Sequence, residues 1–216
     1  MYLPKSFEET RPAVLHALIR SHPLGTWVAL VDGQLVANPV PMLLHPARGE
    51  CGTLCGHVAL ANPVAATVVA TLPSIVSFQG PQAYITPSWY PGKQQHGMVV
   101  PTWNYAVVHA HGHATLIRDR DWLLTHVSEL TNLQEGRRAD PWQVSDAPAA
   151  YIERMLGAIV GVEIRVERLE GKWKASQNRM DIDRRAVGRN LLQMDDTDAR
   201  AMARLVNSEP GDDAGG

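Results

Sequence analysis

Three short segments of this sequence combine a tryptophan with hydroxyl, amide or lysine side chains. They are residues 88–93 (Ser-Trp-Tyr-Pro-Gly-Lys), 102–105 (Thr-Trp-Asn-Tyr) and 172–178 (Lys-Trp-Lys-Ala-Ser-Gln-Asn). A flavin nucleotide needs an aromatic wall for its ring, hydrogen-bond partners for the ring edge, and cationic or N–H groups for its phosphate. One such segment alone is more typical of a core tryptophan beside turn-capping residues. The three together predict a flavin site.

Other groupings of reactive side chains are less specific. His109, His111 and His113 alternate along one predicted strand and therefore share a face, which is one way to hold a metal ion. A structural zinc site has tighter paired spacings, so no metal is predicted even with Cys51, Cys55 and His57 as neighbours. The sequence also lacks a phosphate-binding P-loop and a Gly-x-Ser-x-Gly elbow, which argues against a nucleotide triphosphatase and a serine hydrolase.

Composition sets limits on the class of protein. The 216 residues are 45% hydrophobic, which is enough for one sizeable core, and we expect a single domain over residues 1–208 with a disordered tail at 209–216. The formal net charge is -2, so no global charge attracts nucleic acid or an anionic membrane. We expect a cytoplasmic protein with free thiols, because neither a leader segment nor a membrane span is evident.

Periodicity predicts the elements that position these residues. A helix is expected over Ser6–Arg20, then a hairpin whose strands, Gly25–Val31 and the Pro-interrupted Gln34–Leu44, join at an Asp-Gly turn. The number of strands favours a mainly β fold, a barrel or a sandwich. Further strands are predicted at 52–58, 75–78, 83–86, 105–117 and 162–169, a loop at 87–101, and helices at 64–72, 122–133, 149–159 and, as a pair broken near Asp195, 184–206.

Several strings of uncommon residues resemble one known family in the same order along nearly the whole chain. The most distinctive are Ala83–Tyr90 with Lys93, Val100–Tyr105, and Gly171–Lys174 followed by Ser176-Gln177-Asn178. Earlier matching blocks are Met1–Pro4, Pro23–Thr26, Ala37-Asn38 with Pro41, Gly56–Ala59, Ala61–Pro63 and Phe78–Pro81. On these motifs the sequence is similar to the PaiB-type proteins, described as FMN-binding negative transcriptional regulators. Ala175 and His111 depart from the residues usual in that family.

This resemblance implies an FMN-binding split β-barrel of about six strands with flanking helices, and a homodimer that holds FMN at the subunit interface. The shared motif positions are the candidate cofactor-binding residues. Asn62 precedes Pro63 at a predicted helix start, where N–H groups favour an anion. The phosphate side is predicted at His57, Asn62, Ser88 and Lys93. The ring side or interface is predicted at Trp89, Thr102, Trp103, Asn104, Lys172 and Gln177.

Two main functions stay open at this point. The resemblance implies a flavin-linked negative transcriptional regulator, and the alternative is a small FMN-dependent NAD(P)H oxidoreductase, in which the flavin supplies the redox chemistry. A third possibility is a haem-binding relative with a histidine as axial ligand. Direct DNA binding is not favoured, because the arginines of the C-terminal helices alternate with aspartates.

Overall fold

The computed structural model describes residues 1–66, 71–93 and 97–208, and within them it is mainly an antiparallel sheet with helices. This confirms the predicted fold class. The described strands are β1 (Glu8–Glu9), β2 (Leu24–Val31), β3 (Gln34–Pro41), β4 (Leu43–His45), β5 (Thr53–Ala59), β6 (Leu72–Ile85), β7 (Thr102–Ile117) and β8 (Ile159–Lys174). The α-helices named below are α1 (Pro12–Ser21), α2 (Arg120–Glu135), α3 (Ala149–Leu156), α4 (Asp181–Gln193) and α5 (Thr197–Asn207).

The strands pair in the order β3-β2-β6-β7-β8-β5-β4, and β1 pairs with β8. The pairings of β2 with β3 and β6, and of β5 with β4 and β8, are antiparallel. Strands β3 and β4 are the two ends of this order. Among the described residues, no helix is long and apolar enough to cross a membrane.

The first predicted hairpin is confirmed. Strands β2 and β3 pair over their full length, from Leu24 opposite Pro41 to Val31 opposite Gln34. Asp32 and Gly33 have φ values of 48° and 78°, the left-handed pair that a two-residue hairpin turn requires.

The predicted break at Gly80-Pro81 is wrong, because β6 passes through it as one strand. A Cβ at Gly80 would lie 2.8 Å from Cδ1 of Leu18, so glycine is needed here for the close approach of α1 and not for a turn. Pro81 lies beyond the described pairing of β2 with β6, which ends at Ser77, so its missing N–H removes no hydrogen bond to β2.

Other boundaries also differ from prediction. The helix expected to reach Ile159 ends at Leu156, where Gly157 caps it, and β8 runs from Ile159 to Lys174, beyond both predicted ends. The helix predicted after Asn62 is a 3-10 turn at Pro63–Ala66, and residues 67–70 lie outside the described residues. The helical pair α4 and α5 is confirmed, and the predicted disordered tail at 209–216 lies outside the described residues.

The chain divides into two compact units, and strands β6, β7 and β8 contribute to both. The first unit comprises the described parts of Met1–His22, Phe78–His109 and Leu169–Gly216, and the second comprises those of Pro23–Ser77 and Ala110–Arg168. The single-domain assignment stays a prediction. In the first unit, an apolar core joins β6 to α4 and α5 through Ala83, Ile85, Tyr90, Ala175, Val187, Leu191, Ala199, Met202, Ala203 and Val206.

Candidate functional site

In the first unit, three strands bring together five polar and aromatic side chains that we call the Lys174 cluster: Gln82 and Tyr84 of β6, Thr102 and Trp103 of β7, and Lys174 of β8. The indole N–H of Trp103 donates to Oε1 of Gln82 at 3.0 Å. The rings of Tyr84 and Trp103 meet edge to face, with centroids 5.9 Å apart. Both rings are about half exposed, at 49% and 50%, so the cluster offers an aromatic surface to a ligand.

Lys174 contacts the first two residues of β7. Its Nζ donates to the carbonyl oxygen of Trp103 at 2.8 Å and to Oγ1 of Thr102. An ammonium group has three donors, and the described residues supply acceptors for two of them. Desolvation lowers the pKa of Lys174, and the nearby cations Lys172 and Arg179 lower it further, against an opposing effect of Tyr105. Lys174 is therefore a partly desolvated cation with one N–H to spare.

Lys172 has the opposite character, although it stands only two residues earlier on the same strand. Its side chain is 9% exposed, and Nζ donates to the carbonyl oxygen of Tyr2 at 3.0 Å. The same ammonium lies 5.7 Å from the ring centroid of Tyr2 and 5.4 Å from that of Tyr105. The structure thus uses Lys172 to tie the N-terminal segment to β8.

Asn104 and Gln177 hold the turn that follows β8. Asn104 is buried and its Nδ2 donates to Oγ of Ser176 at 2.9 Å, while its Oδ1 has no hydrogen-bond partner among the described residues. Oε1 of Gln177 accepts from the amide of Ala175 at 2.7 Å, and Nε2 of Gln177 donates to the carbonyl of Trp173. Both polar ends of the Gln177 side chain are therefore engaged within its own turn.

Ser88, Trp89 and Lys93 follow β6 around a 3-10 turn at Pro87–Trp89. The turn begins at Thr86, whose Oγ1 accepts from the amide of Ser88 at 3.3 Å. Trp89 packs against the apolar core of the first unit, whereas Ser88 and Lys93 are exposed. Residues 94–96, in the same predicted loop, lie outside the described residues.

His57 belongs to the second unit and pairs with a histidine that sequence reasoning missed. Its Nδ1 is 3.1 Å from Nε2 of His126 on α2, and the two rings meet edge to face at 5.3 Å. His126 is 3% exposed and stacks on Trp122 at 5.2 Å. Its Nδ1 has no partner among the described residues. Burial lowers the pKa of His126 to about 4, with further contributions from His57 and His45, and burial also lowers the pKa of His57.

A cavity of about 260 Å³ adjoins this pair in the second unit. It is lined by His45, Arg48, Cys55, Trp122, Thr125, His126 and Glu129. Several lining residues form polar pairs: Arg48 contacts Glu163 at 2.5 Å and Cys55 Sγ at 3.5 Å, and His45 lies 3.6 Å from Glu129. Burial, and then the charge of Glu163, raise the pKa of Cys55 to about 11, so its thiol is protonated at neutral pH.

Asn62, also in the second unit, starts the 3-10 turn as the sequence indicated. Its Oδ1 accepts from the amide of Val64 at 3.1 Å, and its Nδ2 donates to Oδ1 of Asn38 at 2.8 Å. The described residues after Asn62 form a 3-10 turn at Pro63–Ala66. The role of Asn62 and His57 toward a phosphate stays a prediction.

Comparison with solved structures defines the class. The chain is similar to the FAD and heme binding protein from Mycobacterium smegmatis, with a TM-score of 0.57, 17% identity, and coverage of 77% of this chain and 73% of that one. It is also similar to a protein from Bacteroides thetaiotaomicron described as a "putative 5-nitroimidazole antibiotic resistance protein", with a TM-score of 0.51, 12% identity, and coverage of 76% and 85%. The fold is that of the flavin-binding split-barrel proteins, as predicted.

The sequence comparisons identify the family. Residues 1–168 match the family described as "Putative FMN-binding domain", and the chain belongs to that family. It is 31% identical over 209 residues to the protease synthase and sporulation protein PAI 2 of Bacillus subtilis, covering 97% of this chain and 98% of that protein. An uncharacterised protein of Aspergillus fumigatus is 32% identical over 257 residues, with 98% of each chain covered. The predicted PaiB-type family is confirmed.

The predicted cofactor, FMN, is the ligand of this family. The Lys174 cluster fits its chemistry, because it combines a half-exposed aromatic pair with an ammonium that has a spare donor and with the hydroxyl of Thr102. Of the predicted ring-side residues, the structure brings Thr102 and Trp103 into one cluster. It gives Asn104, Lys172 and Gln177 internal partners, and it adds Lys174, which the predicted set omitted.

Proposed function

We propose that this protein binds FMN against the Lys174 cluster and acts as a flavin-linked negative transcriptional regulator. The single observation that supports the binding site is the half-exposed pair of Tyr84 and Trp103, whose Trp103 carbonyl accepts a hydrogen bond from an ammonium, Lys174, that keeps one N–H. When bound, FMN supplies hydride and electron chemistry. Trp103 offers a surface for the ring, and Lys174 and Thr102 offer hydrogen-bond donors to it.

We further propose a homodimer with FMN at the subunit interface. Tyr84 and Trp103 are large side chains left about half exposed, and aromatic residues of this kind are enriched at interfaces. The polar residues that remain as predicted phosphate contacts are His57, Asn62, Ser88 and Lys93. Light scattering on the FMN-bound protein should give twice the 23.7 kDa of one chain, and a monomer that still holds FMN contradicts the dimer.

The regulatory role is supported by the similarity to a protein named for protease synthesis and sporulation. We propose that it acts through a protein partner and does not bind DNA directly, because the net charge is -2 and two arginines of the C-terminal helices form ion pairs with nearby aspartates. Arg184 lies 3.4 Å from Asp181 and Arg200 lies 2.9 Å from Asp195. A cytoplasmic location agrees with two free cysteines, as in a reducing compartment.

A second candidate function is an FMN-dependent NAD(P)H oxidoreductase. The exposure of Trp103 favours it, since an open aromatic face leaves room for a second planar substrate near the ring. Anaerobic mixing with NADH or NADPH separates the two functions. Bleaching of the flavin band within seconds supports the enzyme, and an unchanged band with altered transcripts in a Trp103→Ala strain supports the regulator.

Cofactor binding is tested first with purified protein. We expect a visible flavin spectrum and, after denaturation, release of FMN and not FAD or riboflavin, near one per chain. Trp103→Ala should weaken FMN binding, whereas Trp142→Ala, which removes a similarly exposed tryptophan of the second unit, should not. A colourless wild-type protein that also fails to bind added FMN refutes the proposed function.

A further inference from the structure

Two lysines near the end of β8 are only two residues apart, yet they have different surroundings and different hydrogen-bond partners. Alternation along a strand places Lys172 and Lys174 on the same face. Lys172 is buried between two tyrosine rings and donates to a backbone carbonyl of the N-terminal segment. Lys174 is held by two neighbouring acceptors on β7 and keeps one N–H.

We propose that Lys174, and not Lys172, is the cation that faces the flavin ring, with its remaining N–H donating to an electron-rich atom of the pyrimidine edge. This inference rests on the proposed binding of FMN at the Lys174 cluster. Thr102 and the carbonyl of Trp103 fix the ammonium, so its third N–H has a defined direction before any ligand arrives. Lys174 thereby sets both the affinity for the ring and the ease of its reduction.

The ring edge suits Lys174 better than the phosphate does. A phosphate dianion is normally held by several N–H donors or by a bidentate arginine, whereas Lys174 has a single donor left. One of its two acceptors is the backbone carbonyl of Trp103, the residue whose indole is half exposed, so the ammonium is attached to the strand that carries the aromatic surface. A polar group with one donor next to an aromatic wall is the arrangement that orients a planar ring.

A cation at this edge also changes the redox properties of bound flavin. Reduction adds negative charge to the ring, and a nearby positive charge stabilises that form. Lys174 is already partly desolvated, so its field is less screened by water than that of an exposed lysine. We therefore expect the midpoint potential of bound FMN to become more negative when the charge is removed.

The test compares Lys174→Met with the matched control Lys172→Met. Dissociation constants are measured for FMN and for riboflavin, which has the same ring and no phosphate, and the midpoint potential of bound FMN is measured by dye equilibration. Lys174→Met should weaken both ligands by the same factor, about tenfold, which is the usual loss for a hydrogen bond from a charged donor. Folded Lys172→Met should weaken both ligands and lower the potential much less than Lys174→Met does.

Each other result overturns the assignment in a distinct way. If Lys174→Met weakens FMN and spares riboflavin, Lys174 binds the phosphate; if it spares both, Lys174 does not contact the ligand. If Lys172→Met weakens the ligands more than Lys174→Met does, Lys172 and not Lys174 contacts the ring. Should Lys174→Met not fold, Thr102→Val removes one support of the ammonium and should weaken both ligands equally, by about threefold. A wild-type protein that binds neither ligand refutes the proposed function itself.

Discussion

The Lys174 cluster of the first unit and the His57–His126 pair of the second contain similar kinds of residue. Lys174 donates to the carbonyl of Trp103, and His126 stacks on Trp122. They differ in exposure and in how fully their polar atoms are used. The rings of the Lys174 cluster are half open to solvent and its ammonium has a donor to spare, whereas His126 is sealed at 3% exposure and bonds to His57. Residue type alone therefore does not mark a ligand site.

The difference also shows in what each cluster does for the protein. Protonating the buried His126 imidazole, whose Nδ1 has no partner among the described residues, costs free energy. The histidine pair therefore makes the stability of the fold depend on pH. An exposed cluster contributes little to folding and retains binding capacity. We expect changes in the second unit to act on stability and changes in the Lys174 cluster to act on FMN.

Acidification should produce the largest effect, and it should act through the histidine pair. The pKa of His126 is about 4 in the folded protein and near the ordinary 6.5 when unfolded, so the unfolded state binds the proton first as the pH falls. The free energy of unfolding should therefore decrease from about pH 6.5 toward pH 4, by up to about 3 kcal/mol. Urea unfolding across this range measures it.

Two variants test whether His126 causes the loss of stability at acid pH. His126→Gln should flatten the acid dependence, while His113→Gln, which removes an exposed histidine paired with Glu167 at 2.8 Å, should preserve it. An unchanged slope in His126→Gln assigns the acid sensitivity elsewhere and removes the contrast drawn between the two clusters.

Gly161→Ala should be the next most damaging change. A Cβ at this position would lie 2.3 Å from Cζ3 of Trp122, the ring that stacks on His126, so α2 must shift to admit it. Overpacking of this kind costs about 2 kcal/mol, which thermal unfolding should detect. Gly157→Ala is the control, because its nearest neighbour is a carbonyl oxygen at an ordinary 3.5 Å. Equal losses in both variants refute the steric explanation.

Lys172→Met should have a smaller effect on stability. It removes a hydrogen bond to the Tyr2 carbonyl and a cation close to two aromatic rings, together worth about 1 kcal/mol. The denaturation midpoint should fall, while FMN affinity should fall much less than in Lys174→Met. An unchanged midpoint shows that the contact with Tyr2 adds nothing to stability.

Asn62→Ala should have the smallest effect. The side chain accepts from the amide of Val64 and donates to Asn38, so its loss removes a turn cap, worth about 0.5 to 1 kcal/mol. If FMN affinity falls by tenfold or more while riboflavin affinity does not, Asn62 reaches the phosphate after all, and the second unit then contributes to binding.

Local chemistry explains what sequence could predict of the fold. The Asp32-Gly33 turn needs two left-handed residues, which those two types supply, and the hairpin followed. The strings of uncommon residues shared with the PaiB-type proteins identified the family. The predicted break at Gly80 was wrong because this glycine makes room for the side chain of Leu18, which lies sixty-two positions away in the sequence.

The candidate site was only partly predictable for the same reason. Lys172 and Lys174 share one face of β8, and the sequence does not show that Lys172 donates to the carbonyl of Tyr2 while Lys174 keeps one N–H. His126 escaped notice because its partner His57 lies 69 positions away. One signal was available: Trp122, His126 and Glu129 follow helical spacing on α2 and lie on one face, which marks a polar stripe on a packed helix.

The fit of Trp122 against Gly161 has a consequence for how this family can vary. Because the indole occupies the volume that a side chain at 161 would need, the two positions are expected to change together. A relative with a small residue at the first position is free to carry a larger one at the second. In the laboratory, Trp122→Leu should act as a second-site suppressor of Gly161→Ala, so that the double variant loses less stability than the sum of the two single losses.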